Sequence, residues 1–328
     1  MVFFAQTKDG NGISVIDSLN GEIINTFYTH SFWVFNIYPN KDYTILAISL
    51  NKEPTLIFYN YENGQIIFEL NYEDHRKNLY DYFRPVEQII FTSNGEHLIL
   101  NYIDKFLLYK INVIDSNTIS INQINIITPS LRIYKILPLQ ENNIIIKFHS
   151  KILLYDISNL SEGTGKTYLI DENLNYMFKG LEISPSYNLL AYDYINKEKI
   201  HKLNIINFYD KSLITQIDLQ RGNAVPNIKF INKDESRLVI LDKYENQICV
   251  YDTFTGIKLH TFNLALNPNI IDIIINYNSE EDKDILIISN NKNITVYNLE
   301  DYSEKYTITS QKYLKLDNFK YIAPLQLW

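Results

Sequence analysis

Cysteine, tryptophan, methionine and excess positive charge are all scarce in this sequence. Its 328 residues include one cysteine, two tryptophans and two methionines, and 38 acidic residues outnumber 30 basic ones. A single cysteine excludes an internal disulfide framework, and we interpret Cys249, which lies in an apolar run, as a buried core residue. The net charge of −8 comes with scattered Lys and Arg. Nucleic acid is therefore not expected as a partner, because phosphate binding needs clustered cations.

Long apolar runs are also missing. No window approaches the roughly 18 apolar residues of a membrane-spanning helix. The first residues, MVFFAQTKDG, hold only about four apolar residues in a row, too few for a signal peptide. We therefore expect a soluble, cytoplasmic protein. With 46% hydrophobic and 21% charged residues, the chain can bury a substantial core.

Short apolar runs that end in an aromatic and a polar residue recur along the chain. They read ISVID, LIFYN, FLLYK, ILLYD, INFYD, ICVYD and ITVYN, and they end at Asp17, Asn60, Lys110, Asp156, Asp210, Asp252 and Asn298. The intervals are 43, 50, 46, 54, 42 and 46 residues, an average of about 47, and six of the seven penultimate residues are Tyr. A repeat of this length is typical of propellers and related arrays.

Each repeat contains four short β-branched or aromatic runs separated by Asn, Gly, Asp or Pro, the pattern of strands and tight turns. Four strands in each of seven units predict an all-β, seven-bladed β-propeller with antiparallel blades. We expect a C-terminal strand within 313–328 to pair with the N-terminal strands 2–7 and 13–17. This pairing would close the ring and remove exposed sheet edges. Residues 1–328 are then predicted to form one domain.

The repeated ending resembles that of the WD-repeat family, whose blades carry Trp-Asp at the end of the third strand. Here Tyr-Asp takes that place at Tyr155-Asp156, Tyr209-Asp210 and Tyr251-Asp252, and no Trp-Asp pair occurs. The Gly-His of the family remains only as YTH ending at His30 and EDH ending at His75. The resemblance spans the whole chain and implies a propeller that acts as an interaction scaffold.

Segments 151–160, 179–192 and 257–300 look like blades of the PROPPIN group, which are seven-bladed propellers. That group binds phosphoinositides through a Phe-Arg-Arg-Gly motif. At the matching place this chain has Phe262-Asn263-Leu264-Ala265, without either arginine, and Arg221-Gly222 lies one blade too early. Phosphoinositide binding is thus an alternative whose motif is absent, and membrane binding is not expected.

Nucleotide and metal chemistry have little support. Gly165-Lys166-Thr167 ends like a phosphate-binding loop, but the required first glycine is replaced by Leu160 and the following residues are typical of a strand. The six histidines show no metal-ligand spacing. We therefore predict no metal site, no cofactor and no catalytic residue. A hydrolase with its site in the central channel remains a further alternative.

The strongest indication of a binding site is the segment 71–85, NYEDHRKNLYDYFRP, between two blades. It is about ten residues longer than its counterparts, and long loops in compact domains are often functional. Tyr with Arg is typical of hot spots in protein interfaces. The residues predicted to bind a protein partner, from this segment and the preceding inter-blade loop, are Tyr72, Asp74, His75, Arg76, Tyr80, Tyr82, Phe83, Arg84, His30, Phe32 and Trp33.

The same aromatics could instead pack over the surface of the propeller itself. Arg132, Tyr134, Tyr192 and Tyr194 could extend the patch. Taken together, these patterns predict a non-catalytic scaffold for protein–protein interactions, a subunit of a larger assembly that uses loops on one face.

Overall fold

In a computed structural model, the described part of the chain forms β-strands joined by turns. The structure describes residues 2–6, 12–17, 20–28, 34–39, 44–50, 55–71, 88–102, 105–115, 117–129, 131–140, 142–148, 150–158, 167–172, 177–195, 198, 200–219, 227–231, 235–242, 247–262, 270–278, 283–290, 293–309 and 322–323.

Within these ranges, 28 strands form seven antiparallel sheets of four strands, which are the blades. Blade 1 consists of β28 (Ile322–Ala323), β1 (Val2–Gln6), β2 (Gly12–Asp17) and β3 (Ile23–Tyr28). Blade 2 consists of β4 (Val34–Pro39), β5 (Ile45–Leu50), β6 (Thr55–Asn60) and β7 (Ile66–Asn71). Blade 3 consists of β8 (Gln88–Phe91), β9 (His97–Asn101), β10 (Phe106–Asp115) and β11 (Thr118–Ile127). Blade 4 consists of β12 (Ile133–Pro138), β13 (Asn143–Phe148), β14 (Lys151–Asp156) and β15 (Thr167–Glu172).

The remaining three blades follow the same order. Blade 5 consists of β16 (Met177–Ile183), β17 (Leu189–Ile195), β18 (His201–Asn207) and β19 (Leu213–Leu219). Blade 6 consists of β20 (Asn227–Phe230), β21 (Arg237–Asp242), β22 (Gln247–Asp252) and β23 (Lys258–Phe262). Blade 7 consists of β24 (Ile270–Asn278), β25 (Lys283–Asn290), β26 (Asn293–Asn298) and β27 (Glu304–Thr309).

The first strand of each blade contacts the first strand of the next. The contacts run through β28, β4, β8, β12, β16, β20 and β24 and return to β28. In blade 1, β28 pairs with β1 at Phe4↔Ala323 and Ala5↔Ile322. The predicted seven-bladed propeller, with four antiparallel strands in each blade, is therefore confirmed, as is the pairing of N- and C-terminal strands.

Apolar residues form six buried clusters that lie between neighbouring blades. The middle strands are covered on both faces, so they are apolar without alternation, as in Leu98–Leu100 of β9, which is fully buried. Fully burying one such side chain contributes about 1.5–3 kcal/mol. Stability therefore depends on how closely successive blades stack.

The molecule has two faces, which the strand directions define. Each blade ends, and the next begins, at the same face, which we call the connection face. The turn between the second and third strands of a blade also lies there, since the start of β10 pairs with both the end of β9 and the end of β11. The turns between the first and second strands, and between the third and fourth, lie on the opposite face.

In blades 2, 4, 6 and 7, the polar residue that ends the repeat closes the turn between the third and fourth strands. The Asp252 carboxylate accepts hydrogen bonds from the amides of Phe254 and Thr255, at 3.1 and 2.7 Å. Bonds from the Thr255 hydroxyl and amide hold the pKa of Asp252 below its usual value. Asn60 makes the same kind of turn with the amide of Glu62 at 2.8 Å. Such side-chain acceptors favour turns because they replace a backbone partner.

This turn chemistry corrects the predicted strand end in two blades. In blade 5 the closing residue is Asn207, whose side chain accepts from the amide of Tyr209 at 2.9 Å, so the predicted end at Asp210 is three residues too late. The corrected intervals are 51 and 45 residues. In blade 3 Lys110 holds the predicted place in the repeat, since it pairs with His97 as Asn60 pairs with Ile45, but the strand does not end there, because lysine offers no acceptor. There β10 continues to Asp115, which caps the turn through the amide of Asn117 at 2.8 Å.

Four residues after the closing residue, the backbone enters the left-handed region. Gly64 has φ +69° and Gly256 has φ +71°, a conformation that costs other residues about 1–2 kcal/mol. The Gly64 turn also lies against the outer strand of blade 1, since a Cβ added there would be 2.6 Å from the Phe27 ring. Gly95, between β8 and β9, has φ +71° but open space around it.

We expect Gly64→Ala to destabilise the protein more than Gly95→Ala. Both variants carry the backbone cost of about 1–2 kcal/mol, and Gly64→Ala adds overpacking against Phe27 of about 1–3 kcal/mol. Urea unfolding followed by circular dichroism would measure the two free energies. Equal losses would show that the turn of blade 2 does not press on blade 1.

A buried ionic network joins blades 4 and 5. The fully buried Lys147 ammonium lies 2.7 Å from Oδ1 of Asp193 and donates to the carbonyl of Gly180. Nε2 of His201 is 3.1 Å from the other carboxylate oxygen. Burial lowers the pKa of Lys147, and Asp193 opposes this effect. The carboxylate therefore keeps a cation in the core.

Asp193→Asn should destabilise the fold by roughly 3–5 kcal/mol, because it leaves a buried ammonium without its counter-charge. The pKa of Lys147 would fall further below the value it has in the unfolded chain. The unfolded state would then bind more protons, so the loss should shrink as pH rises from 7 to 9.5. Chemical denaturation across that range would measure this trend relative to wild type.

The double variant Lys147→Met/Asp193→Leu is the matched control, because it removes both charges together. It should recover much of the stability that Asp193→Asn loses. A loss from Asp193→Asn that did not change with pH would contradict a charged Lys147.

Candidate functional site

The eleven residues predicted to bind a partner all lie outside the described residues, so their role stays a prediction. They are His30, Phe32, Trp33, Tyr72, Asp74, His75, Arg76, Tyr80, Tyr82, Phe83 and Arg84. The strand ends on either side of them are described. Tyr28 ends β3 and Val34 begins β4, while Asn71 ends β7 and Gln88 begins β8. Both segments therefore leave and rejoin the propeller at the connection face.

On the same face, blades 3 and 4 carry three basic side chains that each lie over an aromatic ring. The ammonium of Lys105 is 5.4 Å from the ring centre of Tyr102, and that of Lys151 is 5.9 Å from the ring centre of Phe148. The third pair is Arg132 over Tyr134, at 5.3 Å. We call these six residues the cation–aromatic rim. Each pair contributes about 0.5–1 kcal/mol at an exposed site and restricts where the cation can move.

A pocket lies between blades 3 and 4 and shares Phe148 and Lys151 with this rim. Its volume is ≈ 260 Å³. The residues that line it are Phe106, Ile127, Pro129, Leu131, Ile146, Phe148, Lys151, Leu153 and Tyr155. Seven of these nine side chains are hydrocarbon only, and Lys151 belongs to both the pocket and the rim. The pocket can therefore bury apolar surface close to positive charge.

Two aromatic side chains shape the pocket wall. Phe106, at the start of β10, meets Tyr155 of β14 edge to face, with ring centres 6.1 Å apart. Such an aromatic pair contributes about 0.5–1.5 kcal/mol beyond the area it buries. Burial raises the pKa of Tyr155, so its phenol stays neutral at physiological pH. This part of the wall therefore carries no charge.

The strand behind the pocket is fixed from the other side. Ile146 and Phe148 line the pocket, while Lys147 between them points to blade 5, because neighbouring side chains of a strand alternate. The buried network of Lys147 and Asp193 therefore holds the strand that carries two pocket residues. This arrangement keeps the pocket in one shape before anything binds.

The structure divides the four residues that were predicted to extend the patch. Arg132 is exposed and Tyr134 is half-buried beneath it, so both belong to the rim. Tyr192 is only 2% exposed, and its hydroxyl accepts from Asn204 at 3.2 Å, so its predicted place in a surface patch is wrong. Tyr194 is half-buried, and its hydroxyl accepts from Gln216 at 2.9 Å in the outer strand of blade 5.

Sequence reasoning missed Lys105, Lys151 and the pocket itself. A signal for the two lysines exists: Tyr102–Lys105 and Phe148–Lys151 both place a lysine three residues after an aromatic. Both pairs span the turn between the second and third strands, which brings the lysine back over the ring. The pocket is formed where two blades pack against each other, so no pattern within one strand marks it.

The innermost strands of blades 4, 5 and 6 carry a chain of charges. Glu182 of β16 lies 3.0 Å from the ammonium of Lys229 in β20 and 3.7 Å from that of Lys135 in β12. A hydrolytic site would need convergent carboxylates, whereas here one carboxylate is placed between two cations. The arrangement favours an ion-pair chain that ties three blades together.

Other predicted features can be placed only in part. Thr167 begins the strand β15, whereas a phosphate-binding loop must be followed by a helix. This confirms that Gly165-Lys166-Thr167 is not followed by the element such a loop requires. Gly165 and Lys166 themselves lie outside the described residues. Cys249 is buried, as predicted. Among the described residues, no group of three His, Cys, Asp or Glu side chains could hold a metal ion. In the same part of the chain, no helix has the length and apolar character to cross a bilayer.

No protein-family model and no curated protein sequence matches the chain. Similar solved structures include the β-propeller domain of Cps50 (Swd1) from Myceliophteria thermophila, with 12% identity, TM-score 0.62, 84% of this chain covered and 86% of that chain. Hsv2p from Kluyveromyces lactis has 14% identity and TM-score 0.54, covering 81% of this chain and 74% of the other. The dihydro-heme d1 dehydrogenase NirN, in complex with DHE, has 9% identity and TM-score 0.60. The match covers 98% of this chain and 74% of NirN.

At these identities the likeness concerns the fold. Both an enzyme by name and proteins without an enzymatic name share it, so the fold is compatible with binding and with catalysis. The folds of these solved structures are consistent with the repeat in the sequence and with the blades of the structure. The chain has a WD-repeat-like β-propeller fold.

Proposed function

We propose that this protein is a non-catalytic platform for protein–protein interactions, a subunit of a larger assembly that binds its partner on the connection face. The observation that carries this proposal is the cation–aromatic rim together with the apolar pocket between blades 3 and 4, which share Phe148 and Lys151. Aromatic residues and arginine are enriched at the centres of protein interfaces, where they contribute most of the binding energy.

The geometry of the propeller suits this role. The rim and the pocket are built on strand ends and short turns, so little conformational entropy is lost when a partner binds. The two predicted aromatic segments also leave the ring at the connection face, in the inter-blade connections that precede the one carrying Arg132. One continuous binding surface on this face is therefore part of the proposal, as is a cytoplasmic location.

Phosphoinositide binding is the second candidate, because three cations on one face favour an anionic ligand. Two features count against it. The pocket inside the rim is lined mainly by hydrocarbon side chains, whereas a phosphate needs converging donors. The Phe-Arg-Arg-Gly motif of the PROPPIN group is also missing from the sequence.

The proposal can be tested by quantitative affinity purification of the tagged protein from its own cells. We expect a stoichiometric protein partner with wild type, and at least a tenfold reduction with Lys151→Glu, which corresponds to about 1.4 kcal/mol of lost affinity. Lys258→Glu is the matched control. Lys258 also lies over an aromatic ring, 5.6 Å from the centre of Tyr251, but it begins β23 on the opposite face.

Retention of the partner by Lys151→Glu, or its loss from both variants alike, would contradict binding at the rim. Absence of any stoichiometric protein would contradict the platform itself. A further variant, Tyr80→Ala/Tyr82→Ala/Phe83→Ala, tests the predicted segment separately, since it should weaken binding without unfolding the propeller. Flotation with vesicles that contain phosphoinositides tests the second candidate, which would be favoured if Lys151→Glu lost vesicle binding instead.

A further inference from the structure

We propose that the pocket between blades 3 and 4 receives one large apolar side chain from an extended, acidic segment of a partner protein. This inference rests on the proposed function and specifies the chemistry that the partner must present. It concerns the pocket and the cation–aromatic rim, all of whose residues are described.

The size and lining of the pocket indicate a single side chain. Pockets for drug-sized molecules measure about 300–1,000 Å³, whereas this one measures ≈ 260 Å³. Its wall of Phe, Ile, Leu and Pro side chains offers dispersion contacts but few hydrogen-bonding groups. An aliphatic or aromatic side chain such as Leu, Ile, Phe or Met fits that lining. Burying it would contribute about 1.5–3 kcal/mol.

We call the apolar side chain that enters the pocket the anchor. The charge around the pocket indicates which residues flank it. Lys105, Arg132 and Lys151 come from three separate connections on the connection face, and Lys151 also lines the pocket. Arg132 and Lys151 each lie over an aromatic ring, which restricts where the cation can move. Asp or Glu close to the anchor would therefore gain charge-assisted contacts. A basic segment would be repelled.

The rigidity of the site favours an extended segment over a folded surface. Phe148 and Lys151 flank a tight turn, and Lys147 is locked into blade 5 behind them. A pocket of ≈ 260 Å³ between two blades has room for one protruding side chain, and a flexible peptide can present that side chain with acidic residues on both sides. The partner meets a preformed pocket, which lowers the entropic cost of association.

A phage-displayed library of random peptides, selected on the folded full-length protein, tests the occupant directly. We expect enriched sequences to share one Leu, Ile, Phe or Met with Asp or Glu within two positions. Synthetic copies of these peptides are then measured by fluorescence polarisation. Replacing the shared apolar residue by Ala should weaken binding at least tenfold.

Three protein variants connect the selected peptides to the pocket. Leu131→Trp fills it and should weaken binding at least tenfold, whereas Leu213→Trp, at an exposed position at the start of β19, should leave binding unchanged. Lys151→Glu should weaken binding of the acidic peptide and improve binding of a peptide in which the neighbouring Glu is changed to Lys. Circular dichroism checks that each variant is folded.

Several outcomes would overturn the inference. The selection would contradict it if the enriched peptides shared no common sequence, lacked an apolar anchor or had basic flanks. The variants would contradict it if Leu131→Trp left binding intact. The two proposals can fail separately. If affinity purification finds a protein partner that Lys151→Glu loses, while the peptide selection fails, the platform stands and only the stated occupant is wrong.

Discussion

The turn between the third and fourth strands is the constraint on which the packing of neighbouring blades depends. An Asp or Asn side chain closes it by accepting backbone amides, as Asp252 and Asn60 do. The chain then enters the left-handed region at the fourth residue, which allows the turn to press against the outer strand of the preceding blade. The same local chemistry therefore shapes a turn and sets the distance between blades. The turns at Gly21 and Gly256 pack in the same way against the outer strands of blades 7 and 5.

This dependence explains how far the sequence could predict the fold. The closing Asp or Asn lies in a local pattern, so the number of blades, their strands and the meeting of the chain ends could be predicted. The predicted end of the repeat in blade 5, Asp210, was wrong. Its Tyr-Asp pair lies in the turn but resembles the end of a strand, whereas the strand ends at Asn207. The irregular intervals on either side of Asp210 were the sign of that error. Residues 151–156 of blade 4, in contrast, match the repeat.

The candidate site was less predictable because it is assembled between blades. Arg132 could be chosen as a surface residue from its type and its position in a connection, and Tyr134 from its place next to that connection. Tyr192 is of the same residue type as Tyr134 but is buried in the core. Burial in a propeller depends on which neighbouring blade a side chain contacts. The pocket combines β10 and β11 with β13 and β14. The sequence of each strand taken alone is that of an ordinary core strand.

The pairing of β28 with β1 has a consequence for how the molecule folds. Six blades are each built from one continuous stretch of chain and can form from local contacts. Blade 1 needs Phe4 to meet Ala323, so the two ends of the described chain must come together before its sheet is complete. Closing so long a loop is entropically costly and slow. Blade 1 is thus the natural last step of folding, and until it forms the partly folded ring exposes two unpaired faces that can associate with other chains.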